Sequence, residues 1–133
     1  MKRQPDLLKE ARGWANKAEN DLRNASHCLL LEKDCPTDTV CFHAEQAIEK
    51  CLKALLIFSN IDFPRTHDVA HLISLLPSKM KPVLTEEDQE KLTDYATTTR
   101  YPGNYEEISL AEAQRVVRIA KQVKNKVTKI LQK

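Results

Sequence analysis

Helical periodicity runs through almost the whole chain and constrains its fold more than any other feature. Leu7, Leu8, Ala11, Trp14 or Ala15, Ala18, Leu22, Ala25 and Leu29 recur at the spacing of one helix face. A second stripe follows Thr37, and a third follows Ser109. Strand signals, meaning alternating β-branched runs and Asn-Gly turns, are missing. Helices are expected over about residues 6–31, 37–59, 68–76, 85–98 and from 109 to near the C-terminus. Thr37 is the expected N-cap of the second, and Ser109 with Glu112 forms a capping box for the last. Long helices joined by short loops predict an all-α fold: an antiparallel up-and-down bundle of four main helices plus a short one, as a single domain over residues 1–133.

The longest purely apolar run is Ala54-Leu55-Leu56-Ile57-Phe58, far short of the roughly 20 residues that span a membrane. No apolar signal core follows Met1-Lys2-Arg3. Cys28, Cys35, Cys41 and Cys51 have neither CxxC nor zinc-finger spacing, and reduced thiols in a cytoplasmic protein are the expectation. No glycine-rich nucleotide loop, P-loop or GxSxG elbow is present, and no three His, Asp or Glu residues cluster as metal ligands, so no cofactor and no metal are expected. The net charge of +2 does not imply nucleic acid by itself. Its distribution says more. After Glu112 no acidic residue occurs, while Arg115, Arg118, Lys121, Lys124, Lys126, Lys129 and Lys133 follow. Two readings are open: a solvated helix whose cations suit its negative end, or a surface for nucleic acid or an acidic partner.

The second helix repays arithmetic. At about 100° per residue, Val40, Cys41, Ala44, Ala47, Ile48, Cys51, Leu52, Leu55 and Leu56 fall within half the wheel. His43, Gln46, Lys50 and Lys53 lie in an arc of about 80° opposite it. This polar line is either a solvated face with a Glu49–Lys53 ion pair or a cradle for a phosphate or RNA backbone. Thr66-His67-Asp68 opens the short helix, where His67 and Asp68 act as an acid–base pair or as capping groups. The segment Arg100-Tyr101-Pro102-Gly103-Asn104-Tyr105 is the strongest loop signal. Arg100 suits an anion, and Tyr101 and Tyr105 can stack on a base or pack on the bundle.

Phe42-His43-Ala44-Glu45-Gln46-Ala47-Ile48-Glu49-Lys50-Cys51-Leu52-Lys53-Ala54-Leu55-Leu56 resembles the second-helix signature of HEPN domains (higher eukaryotes and prokaryotes nucleotide-binding). Thr66-His67-Asp68 with Leu72, the Arg100-Tyr101-Pro102 segment, and Trp14, Ala18, Asp21 and Leu22 resemble further parts of that pattern, over roughly residues 10–125. The resemblance implies a helical bundle, commonly a homodimer, often encoded beside a minimal nucleotidyltransferase as a toxin–antitoxin pair. Many HEPN proteins are metal-independent ribonucleases whose signature is Arg, four to six residues, then His. Here no His follows Arg100, and a neutral Tyr105 is a poor base at pH 7. The expectation is therefore a non-catalytic nucleotide or RNA-phosphate-binding module. Lys50, Lys53 and Arg100 would meet phosphates, and His43, Gln46, His67, Asp68 and Tyr101 would shape the site. The alternatives are a ribonuclease toxin using Arg100 with His67 or His43, and a purely structural dimerisation or docking domain.

Overall fold

From Val40 to Ser59 not one residue is exposed, and that burial organises the molecule. The computed structural model describes residues 4–97 and 107–132. Its helices are α1 (Gln4–Leu29), α2 (Thr37–Phe58), α3 (Val69–Ser74), α4 (Glu86–Thr97) and α5 (Leu110–Leu131). Single 3₁₀ turns at Glu32–Asp34 and Ser78–Met80 interrupt the connections. No strand occurs among the described residues. The fold is an all-α bundle in which α2 is central: α1, α3, α4 and α5 all pack on it, and α1 also packs on α5. Ile48, Leu52, Leu55 and Leu56 of α2 fill the core with Leu72, Leu92, Val116 and Val127.

The helix ends follow local chemistry. Asp68 caps α3 by accepting from the His71 backbone N–H at 3.1 Å, and Thr66 accepts from the Asp68 N–H at 3.0 Å. α2 stops at Phe58 because Asn60 adopts φ 57°, which lets the Ile61 N–H reach the Leu56 carbonyl and the Asn60 N–H reach that of Ile57. α1 ends at Leu29, two residues earlier than its apolar pattern suggests, in a turn where Glu32 has φ 51°. Leu30 and Leu31 are left exposed.

Of the two expected caps, one differs and one forms. Thr37 does not cap α2; Pro36 holds that position, and the Thr37 hydroxyl donates to the Ile108 carbonyl at 2.7 Å. The start of α2 is thereby tied to the approach to α5. Ser109 does cap α5, accepting from the Glu112 N–H at 3.0 Å. The Glu112 carboxylate accepts from Tyr95 Oη at 2.7 Å and from Arg115 Nε at 2.8 Å, and Arg115 Nη1 also reaches Asp88 at 3.0 Å. This cluster locks α4 to α5. The Arg115 hydrogen bonds hold the Glu112 carboxyl below the usual carboxylate range, against some burial. Burial and the bond to Glu112 push the Tyr95 phenol up, so it stays a donor.

Truncation at the centre should therefore be severe. Leu52→Ala is expected to lower unfolding free energy by about 2–5 kcal/mol, against about 1 kcal/mol for Ser109→Ala, as read from urea midpoints. A Leu52→Ala midpoint equal to wild type would contradict the central position of α2.

Candidate functional site

The polar line of α2 is only partly open to water. His43, Gln46, Lys50 and Lys53 are all partly buried, because α1 and the loop before α3 cover them. Of the two readings open for this line, a fully solvated face does not hold: α1 and the loop before α3 pack over it, so its polar groups find partners inside the protein.

Two carboxylates supply them. Asp21 of α1 accepts from Lys50 Nζ at 2.6 Å and lies 3.2 Å from His43 Nδ1. Glu49 of α2 accepts from Lys53 Nζ at 2.7 Å, lies 3.0 Å from His67 Nδ1, and accepts from Gln46 Nε2 at 3.3 Å. Lys53 Nζ also stands 5.6 Å from the Trp14 ring and 6.0 Å from that of Phe63, a cation–π bracket between α1 and the loop. The Glu49–Lys53 pair read from spacing is real, but it is buried.

Glu45 was not singled out by sequence reasoning, yet it lies deepest, at 0% exposure. The signal was present: at about 140° on the wheel it falls inside the apolar arc of α2. Gln46 donates to its Oε2 at 3.1 Å, while Oε1 finds no donor. The nearby Glu49 carboxyl adds like charge to that buried site. Burial first, then Glu49, pushes the Glu45 carboxyl up to about 9. Burial also acts to raise Glu49, but hydrogen bonds from Glu45, Lys53 and His67 outweigh it and hold that carboxyl low. The opposite shifts place the negative charge of the pair on Glu49 and not on Glu45.

The other expected residues fall apart from this cluster. Asp68 is the α3 cap, with its carboxylate on a backbone N–H, and does not orient His67. The true orienter of His67 is Glu49, 18 positions away. Arg100 and Tyr101, with Pro102, Gly103 and Tyr105, lie outside the described residues. Cys41 and Cys51 are buried and pushed up to about 12, chiefly by burial, so they are packed thiols and not nucleophiles. Among the described residues no group of three His, Cys, Asp or Glu is placed to hold a metal ion, and no helix is long and apolar enough to cross a membrane.

The arrangement can bind and orient. Two imidazoles are held through Nδ1 by carboxylates, leaving Nε2 for a ligand, and each ammonium has donors beyond its one carboxylate bond. His67 is the most open member, its side chain 49% exposed.

The HEPN domain family matches the sequence over residues 11–131. The chain belongs to the HEPN domain family. Its fold is similar to that of TT1696 from Thermus thermophilus, with a TM-score of 0.72 and 26% identity, covering 90% of this chain and 96% of that one. It is likewise similar to ST0689, an archaeal HEPN homologue, with a TM-score of 0.69 and 26% identity over 98% and 99% of the two chains. No curated protein matches the sequence significantly.

The neutral Glu45 fixes a pH dependence. Folded protein holds this proton between about 4.5 and about 9, where unfolded chain has released it, so stability falls as pH rises through that window. Glu45→Gln keeps a neutral side chain of the same shape and should flatten the fall. Urea midpoints from pH 5.5 to pH 8.5 would check this at ~1 unit intervals; wild type and Glu45→Gln falling in parallel would show that Glu45 is ionised.

Proposed function

We propose that this HEPN protein is a non-catalytic module that binds the phosphate of a nucleotide or RNA and works, as a homodimer, with a minimal nucleotidyltransferase partner. The observation that carries the reading is the pairing of His43 and His67 with buried carboxylates beside Lys50 and Lys53 on one face of α2. Asp21 and Glu49 balance the two ammonium charges, so the cluster offers aimed N–H donors more than net positive charge. A phosphate at its rim meets His67 first and takes further bonds from the lysines. Gln46 is committed to Glu45 and Glu49 and serves as support. Asp68 contributes by starting α3 directly after His67. Arg100 and Tyr101 are proposed to complete the site from the segment before α5.

A second reading has its own support. A histidine held through Nδ1 by a carboxylate is also the arrangement of a general acid–base, so His67–Glu49 with Arg100 suits a metal-independent ribonuclease. The missing histidine after Arg100 favours binding without turnover.

Titration of ATP, GTP and a short RNA against wild type, His67→Ala and Arg100→Ala separates the two. Affinity is expected to drop about tenfold in each variant, a loss of about 1.4 kcal/mol, with RNA intact after long incubation in EDTA. Equal affinities in all three proteins would remove the assigned site. RNA cleavage abolished by Arg100→Ala would establish the ribonuclease instead.

A further inference from the structure

α1 and α5 lie side by side and antiparallel. Arg12 Nη2 donates to the Leu131 carbonyl at 3.2 Å, and further along Lys124 approaches Glu19 at 3.8 Å. Where their side chains part, the seam opens into two hollows. The larger, about 410 Å³, has Arg23, Ser26 and His27 on its α1 wall and Lys121, Lys124 and Asn125 on its α5 wall. The smaller, about 230 Å³, lies between Arg12 and Asn16 on one side and Lys124 and Thr128 on the other. Lys124 lines both, so they are successive stretches of one track. Arg12 to His27 spans about 22 Å of helix.

The charges along this track are unevenly satisfied. Glu19 is the one carboxylate among the lining residues. Its contacts are long, 3.6 Å to Arg23 and 3.8 Å to Lys124, and Lys124 gives its hydrogen bond to the Thr128 hydroxyl at 3.0 Å. The Arg23 side chain is 78% exposed, and Lys121 has no carboxylate partner among the described residues. Not every cation of α5 belongs here. Arg115 is spent on the α4 tie, and Lys126 donates to the Lys81 carbonyl at 2.7 Å. Lys121 and Lys124 are the two that α5 turns toward α1.

Neutral donors, Asn16, Ser26 and Asn125, stand between the cations, while the Thr128 hydroxyl donates to the Lys124 carbonyl at 2.9 Å. No Phe, Tyr or Trp side chain lines either hollow, and the groups able to stack there are the His27 ring and the Arg12 and Arg23 guanidinium planes. Spaced cations with hydroxyl and amide donors and no large aromatic platform fit a phosphate backbone better than base edges. We infer that the α1–α5 seam is a track for the phosphodiester backbone of single-stranded nucleic acid, bound without regard to sequence. It shares no residue with the α2 cluster and stands whether or not that cluster takes a nucleotide.

The test is fluorescence anisotropy of the purified chain with labelled oligouridine and oligothymidine, each about a dozen nucleotides long, between about 50 and about 200 mM salt. Both strands are expected to bind. Arg23→Gln/Lys121→Gln places good helix formers at exposed sites and keeps the fold, which a thermal melt verifies. It should weaken binding about tenfold and reduce the slope of log affinity against log salt by about 1.4, two phosphate contacts' worth for a single strand. Lys91→Gln on α4 should bind as wild type. Three results would each overturn the inference: unchanged affinity and slope in the double variant, an equal loss in Lys91→Gln, or displacement of the oligonucleotide by polyglutamate of matched charge. ATP titration of the same double variant reads the α2 cluster separately, so failure of one site is not mistaken for failure of the other.

Discussion

The burial of α2 on all sides is the constraint from which the rest of the structure follows. A helix covered by four others cannot leave an ammonium or a carboxylate without a partner, because an unpaired buried charge is far costlier than a paired one. Asp21 therefore has to stand against Lys50 and His43, and Glu49 against Lys53 and His67. Each pair also joins different parts of the chain. Asp21 fastens α1 to α2, Glu49 fastens the loop before α3, and Lys53 sits between Trp14 and Phe63. Polar satisfaction and tertiary assembly are here one requirement.

Glu45 sharpens the point. It occupies a core position where burial, and then the nearby Glu49 carboxyl, favour its neutral acid form. Its proton makes Glu49 a single, well-held negative charge. That charge orients His67, the member of the cluster most open to a ligand. The basic seam between α1 and α5 has the opposite character: Arg12 and Lys124 are hydrogen-bonded within the protein, Arg23 has only a long contact to Glu19, and cations outnumber the one carboxylate.

Much of this was legible in the residues. The stripe from Leu7 to Leu29 announced α1 and the apolar arc of α2 announced the central helix, because a 3.6-residue period is written directly in spacing. Ser109 and the Asp68 segment announced helix starts. Whether the polar line of α2 was solvated or a cradle stayed open in the sequence because a helical wheel records which residues share a face and not what covers that face. Thr37 was misjudged as a cap because its hydroxyl had a better acceptor, the Ile108 carbonyl, 71 positions away.

By itself the sequence determined the all-α class, the order and approximate lengths of the helices, and membership in the HEPN family, because period, caps and signature motifs are local properties. Only the tertiary structure decided which carboxylate meets which cation. Asp21 and Lys50 are 29 positions apart, and His67 and Glu49 are 18. Such partners are chosen by how helices pack, and a desolvated charge accepts whichever counter-charge that packing brings within reach.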